Sequence, residues 1–267
     1  MRSLKMLIIG ELINGMYKEA GRAIQQKDKF AIQNLAKKQV DAGCDALDLN
    51  CGPVSRNPAS DMVWLVETVQ GVTDKTLCLD STKSDVIEEG LKIIKNKAII
   101  NSTSADKEKL DMIVPLALKY KTGLIGLTLD KKGVPQDKDR RLELAAMIVA
   151  DCQEKGFELD ELYIDPVILP VNVAQAQLED TLKALAEFKI ISQPPPKTVV
   201  GLSNVSQGTQ QRNLINRIFL IMAIVNGLDA AILDPLDKEL MDSLITAELI
   251  LNKQIYCDSF LQAYRKK

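Results

Sequence analysis

Short, almost wholly apolar runs recur along the chain, each ending in polar residues and followed by a longer stretch whose apolar positions return every three or four residues. Residues 4–10, 46–49, 76–79, 98–100, 123–127, 162–164, 198–202 and 230–233 read as strands. Helical patterns fill 15–42 (interrupted near 27–29), 59–72, 84–96, 106–121, 139–155, 175–191, 210–226 and 238–251. Strands apolar on both faces and alternating with amphipathic helices belong to a parallel sheet covered by helices. Eight such units in 267 residues predict an α/β fold of the closed (β/α)₈ TIM-barrel kind. A doubly wound open sheet is the alternative, disfavoured because no GxGxxG follows the first strand. The densest break, at 193–197, is proline-rich and too short for a tether, so it reads as a stiff turn and one domain spanning 1–267 is expected.

In a barrel the carboxyl ends of the strands open onto one face, where residues distant in sequence meet. Glu11, Asn14, Asp48, Asn50, Asp80, Asn101, Asp165, Asn204 and Asp234 all fall at such ends. Each could instead cap the helix that follows, a routine role for Asp and Asn. Capping fits Asp165 least, because a proline and a long loop come next. The richest end is at 198–208, where a β-branched strand runs into Ser203, Asn204, Ser206 and Gln207, all hydrogen-bonding and uncharged.

Composition narrows the chemistry. The chain has no histidine, which removes the usual general base and the commonest metal ligand. Its five cysteines include no CxxC pair, so buried thiols are expected rather than a cluster or zinc site. An all-oxygen Mg²⁺ site stays open, but carboxylates and amides suit a flat, nitrogen-rich heterocycle better, since a carboxylate pairs with two adjacent N–H donors in a fork. With 34 basic and 36 acidic residues interspersed, no electrostatic footprint for nucleic acid exists. The early apolar run 6–10 is too short for a signal core or a membrane span, so a cytoplasmic protein is expected. The charged run 130–141 reads as a solvated turn, with a lid as the alternative.

Several strand-end blocks together carry a family resemblance: Leu7-Ile-Ile-Gly-Glu-Leu-Ile-Asn-Gly15, Ala46-Leu-Asp-Leu-Asn50, Leu77-Cys-Leu-Asp-Ser-Thr82, Ile100-Asn-Ser-Thr103, Leu162-Tyr-Ile-Asp-Pro166, Gly201-Leu-Ser-Asn-Val-Ser-Gln207 and Tyr256-Cys-Asp-Ser259. In these the chain resembles, nearly end to end, the pterin-binding methyltransferases, and most closely those that serve a corrinoid iron–sulfur protein in the reductive acetyl-CoA pathway. The resemblance implies a homodimeric barrel that binds 5-methyltetrahydrofolate, keeps no permanent cofactor or metal, and passes the methyl group to Co(I) of a corrinoid held by a transient partner. It implies that Asp80, Asn101 and Asp165 grip the pterin ring and that Asn204 meets N5, the atom losing the methyl. Gln207, Arg212, Ser203 and Ile232 would line the same pocket, with Glu11, Asn14, Asp48 and Asn50 as a further polar network. Leu12 departs from the arginine usual in the family, so no charge contact is expected there, and no role is assigned to the extension 1–5.

A neutral tertiary amine is a poor methyl donor, so positive charge must build on N5 as its bond to carbon breaks. The Asn204 amide can accept from a protonated N5 or donate to a neutral one, with the proton arriving through water or the polar network. Competing expectations are a relative using another corrinoid acceptor and a non-catalytic folate-binding subunit. Dihydropteroate synthase shares such a barrel, but its lysine-bearing strand-end motif is missing from 201–208.

Overall fold

The computed structural model describes residues 5–53 and 55–265. Eight parallel strands close into a barrel in chain order: β1 (Leu7–Asn14), β2 (Ala46–Asn50), β3 (Thr76–Asp80), β4 (Ala98–Ser104), β5 (Gly123–Leu127), β6 (Leu162–Asp165), β7 (Lys197–Gly201) and β8 (Ala230–Leu233). Closure is made by β1 against β8, with Leu7 opposite Ala230 and Gly10 opposite Leu233. The expected (β/α)₈ barrel is the fold observed, and the open-sheet alternative is excluded by that last pairing.

The helices are α1 (Lys18–Gln26), α2 (Lys29–Asp41), α3 (Pro58–Gln70), α4 (Ser84–Ile93), α5 (Lys107–Tyr120), α6 (Lys138–Glu154), α7 (Val171–Ala174), α8 (Leu178–Glu187), α9 (Arg212–Val225), α10 (Lys238–Ile250) and α11 (Phe260–Arg265). The break near 27–29 is a helix stop followed at once by a start. Lys27 is left-handed, with φ 53°, and Asp28 then caps α2 by accepting from the Ala31 amide. The pattern read as one helix over 175–191 is instead a 3₁₀ turn, α8 and a second 3₁₀ turn, with the short α7 just before it; Ala174 leaves helical geometry with φ −134°. α11 was not expected.

β1 runs four residues past its expected end. Its register against β2 slips between Gly10 and Ile13, because Gln39 of α2 inserts there and accepts from the Leu12 amide at 3.0 Å. A Cβ on Gly10 would lie 2.5 Å from that same Gln39 oxygen, so glycine admits the insertion. The bulge thereby carries Glu11 and Asn14 on the strand itself. Leu4, expected to open this strand, and the rest of 1–4 lie outside the described residues.

Two cores follow from the period-two alternation of the strands. Ile9, Ala46, Cys78, Ile99, Ile125, Tyr163, Val199 and Ala230 fill the barrel, and a larger cluster fills the space between strands and helices. Among the described residues no helix is long and apolar enough to cross a membrane.

Candidate active site

The barrel-filling residues set the parity of what lies above them. Two positions further along each strand, the inward face carries Glu11 above Ile9, Asp48 above Ala46, Asp80 above Cys78, Asn101 above Ile99, Asp165 above Tyr163 and Ile232 above Ala230. An apolar plug thus supports a polar crown at the carboxyl face.

On one side of the crown, Asn50 Nδ2 donates to Asp80 Oδ2 at 2.6 Å while its Oδ1 accepts from the Gly52 amide at 2.7 Å. Asn101 Nδ2 donates to Asp48 Oδ1 at 3.1 Å. Burial raises the pKa of both carboxyls, and the neighbouring Asp80 pushes Asp48 further up. Asp48 also meets the Cys78 thiol, itself raised by burial.

Across the mouth, Glu11 receives the Ser203 hydroxyl at 2.7 Å and the Tyr17 hydroxyl at 3.0 Å, both on Oε1. Burial raises its pKa despite these bonds. β7 ends in a 3₁₀ turn, Leu202–Asn204, and Arg212 braces it: Nε donates to Ser206 Oγ at 3.2 Å and Nη2 to the Ser203 carbonyl at 3.4 Å. Asn204 on this turn and Gln207 just after it are exposed, and among the described residues neither side chain has a hydrogen-bond partner. Gly201 lets the amide fold back, since a Cβ there would sit 3.0 Å from Asn204 Nδ2.

Asp165 ends β6 at the boundary with this turn. Its carboxylate accepts from the amides of Val167, at 2.7 Å, and Gly201, yet burial pushes its pKa up to about 7. The loop beyond is held in an unusual backbone: Val167, β-branched, has φ 60°. Arg141 supports it from below, with Nε donating to the Pro166 carbonyl at 2.9 Å. Most of 130–141 is solvent-facing, as expected of a solvated turn, but α6 begins within it and its last residue departs from that reading. Arg141 is fully buried, on the same face of α6 as Leu144, Ala145, Ile148 and Cys152. That spacing was the signal that could have found it; Tyr17, also missed, had none beyond proximity to the first motif.

Helix capping does not explain the crown. The side-chain caps are Asp28, Asn57, Asp137 and Asp237, none of the nine strand-end residues. Four of the nine instead turn the chain out of its strand by accepting from the amide two residues on: Asn14 from Met16, Asn50 from Gly52, Asp165 from Val167 and Asp234 from Leu236. The Tyr256–Ser259 block does not join the site; Tyr256 is exposed just before α11.

Beside the crown a cavity of about 370 Å³ lies between the loops after β2 and β3, lined by Asn50, Cys51, Gly52, Asp80, Ser81 and Lys83 among others. A larger one, about 490 Å³, opens at the amino ends of the strands, below Tyr163. Its lysines and carboxylates are near balance, and Tyr163 closes it from the crown, so the carboxyl face, where the strand-end residues gather, is the candidate site. Among the described residues no group of three or more His, Cys, Asp or Glu is poised to hold a metal ion.

Known proteins are similar to this chain in sequence or in fold. The chain is 26% identical over 265 residues, 98% of its length and 97% of the relative's, to a methylcorrinoid:tetrahydrofolate methyltransferase of Eubacterium limosum. It is 27% identical over 240 residues to a methionine synthase of Mycobacterium leprae, covering 85% of this chain and 20% of that protein. Among solved structures, a dihydropteroate synthase of Coxiella burnetii in complex with pteroic acid superposes with TM-score 0.72 over 94% of each chain, at 14% identity, a likeness of fold. Residues 19–234 match the family described as pterin binding enzyme, and with most of its length inside that match the chain belongs to the pterin-binding enzyme family.

Proposed function

We propose that the chain is a methyltransferase that carries the methyl group of 5-methyltetrahydrofolate from N5 to the Co(I) corrinoid of a corrinoid iron–sulfur protein, as one barrel domain acting in the cytoplasm within the reductive acetyl-CoA pathway. The observation that carries this reading is a buried carboxylate at the end of β6 beside a turn after β7 that presents an exposed amide with no partner among the described residues. Asp165 offers the fork that two adjacent pterin N–H donors need. Asn204 offers an uncharged group that can follow N5 from neutral to protonated without itself ionising.

In this reading Asp80 and Asn101 complete the grip on the pterin, and Ser203, Gln207, Arg212 and Ile232 line the pocket. Asn50 and Asp48 hold Asp80 and Asn101 in place through the bonds described, and Asn14 shapes the turn after β1. The methyl carbon is attacked by the cobalt electron pair while the carbon–nitrogen pair stays on N5, which leaves as a neutral secondary amine once protonated. The protein keeps no cofactor; the partner docks transiently over the mouth, and the chain works as a homodimer.

The Eubacterium limosum relative supports a second reading, since its name runs from methylcorrinoid to tetrahydrofolate. One site complementary to the shared transition state serves both directions, with a different corrinoid protein as partner.

The test is a visible-spectrum assay of Co(I) corrinoid, free and protein-bound, mixed with the protein and 5-methyltetrahydrofolate. Methyl–cobalt forms fastest with the iron–sulfur partner, and Asn204→Ala slows it about a hundredfold or more. Folate binding without methyl transfer to any corrinoid leaves a binding subunit and refutes the enzyme.

A further inference from the structure

N5 needs a proton, and the crown contains several buried carboxyl groups that burial disposes to hold one. They differ in what surrounds them. Asp165 is tied to two backbone amides, Asp80 to the Asn50 amide, and Asp48 to the Asn101 amide and the Cys78 thiol. An amide N–H holds a carboxylate but cannot pass a proton onward at ordinary pH. Glu11 alone among these four has hydroxyl partners only, Ser203 at 2.7 Å and Tyr17 at 3.0 Å. A hydroxyl can accept on one lone pair while releasing its own hydrogen.

The two hydroxyls are not equivalent. Ser203 is the nearer, at 2.7 Å against 3.0 Å for Tyr17. It also immediately precedes Asn204 on the braced turn, which makes it the exit, whereas Tyr17 lies on the chain after β1. Glu11 is 8% exposed, so bulk water does not bypass this route freely.

We propose that Glu11 stores the proton that N5 takes up and hands it over through the Ser203 hydroxyl; this rests on the methyltransferase reading. Neutral Glu11 gives its proton to Ser203 Oγ, and the Ser203 hydrogen passes to N5 directly or through one water. The carbon–nitrogen bond then breaks with its electron pair kept by N5, giving an N5–H amine, and solvent later returns a proton to the Glu11 carboxylate. The charged and titratable groups facing Glu11 are Tyr17 after β1, Asp48 of β2, Asp234 after β8 and Arg212 of α9. Arg212, though attractive, forms no ion pair with Glu11; its guanidinium is spent on the turn.

The experiment is single-turnover methyl transfer to free Co(I) cobalamin between pH 5 and 9, alongside 5-methyltetrahydrofolate binding, for the wild type and for Glu11→Gln, Glu11→Asp and Ser203→Ala. The wild-type rate falls as pH rises. Glu11→Gln binds folate within about threefold of wild type, transfers methyl at least tenfold more slowly at pH 7 and has a flat pH profile, while Glu11→Asp recovers the sloping profile. Ser203→Ala, with Glu11 intact, reproduces the loss. A competent wild type matched by an equally fast, equally pH-dependent Glu11→Gln overturns the proton store and spares the methyltransferase reading. Parallel loss of binding and rate at every pH, unrelieved by Glu11→Asp, also overturns it. A wild type silent toward Co(I) while binding folate sinks both.

Discussion

Asp165→Asn separates what the site does for a ligand from what it does to the fold. The Asp165 carboxyl holds its proton up to about pH 7 in the folded chain, against an ordinary 3.8. The folded state therefore binds more protons than the unfolded one between those two values, and stability falls as pH rises through that window and is flat above it. The gap corresponds to about 4 kcal/mol of destabilisation fully present above pH 8. Asparagine keeps an oxygen for the Val167 and Gly201 amides and carries no charge to desolvate. The variant is expected to be more stable than wild type by about 2 to 4 kcal/mol at pH 8, a rise of roughly 5 to 10 °C in melting temperature for a chain of this size, with the advantage shrinking by pH 5. It also loses folate affinity at pH 8 by about 1 to 3 kcal/mol, because pterin donors lose their carboxylate. Thermal melting at both pH values with folate titration decides it. A variant less stable than wild type at pH 8, or a stability difference indifferent to pH, refutes the argument.

Arg141→Ala removes a buried guanidinium that holds the Pro166 carbonyl and the Asp137 carbonyl, so stability should fall by about 3 kcal/mol in urea unfolding, with folate binding weakened through the loop after Asp165. Stability and binding both within error of wild type would remove Arg141 from the support of that loop. Gly15→Ala forces a Cβ to within 2.2 Å of the Cys51 carbonyl oxygen, where the loops after β1 and β2 touch. Parting them should cost about 1 to 3 kcal/mol and disturb the Asn50 turn, and an unchanged denaturation midpoint would show that the backbone yields freely.

The alternation of apolar runs and helical patterns was sufficient for a parallel sheet buried on both faces, and the count of eight units with no GxGxxG after the first strand favoured closure over an open sheet. Strand ends were legible for the same reason: a polar residue in phase with a buried apolar one, two positions back, must point into the mouth. Reading failed where a distant residue decided the outcome. β1 seemed to stop at Gly10 because Glu11 is polar, but Gln39, 27 residues past Leu12, reaches in and lets the strand continue through a bulge. Arg141 looked solvated because its neighbours in sequence are charged, though its helical phase put it on the buried face. The role of a strand-end carboxyl was not legible at all, since whether its partner is an amide or a hydroxyl depends on the neighbouring strands.

That last distinction bears on how a chain without histidine can manage protons. Burial alone makes the crown carboxyls similar, each raised above its ordinary range, and so supplies protons without specifying where they go. Specification comes from the partners. Amide donors bias Asp165 back toward the carboxylate, which suits it to receive a pterin edge, whereas the hydroxyls on Glu11 leave both of its protonation states hydrogen-bonded. In the proposed mechanism the same mouth holds a fixed acceptor at the end of β6 and a mobile proton at the end of β1, with Asn204 on the turn after β7 needing neither charge nor protonation. Dihydropteroate synthases have the same barrel, so the fold does not dictate that division. It is made by single side chains at the ends of β1, β6 and β7, which is where substitutions should redirect the chemistry while leaving the barrel standing.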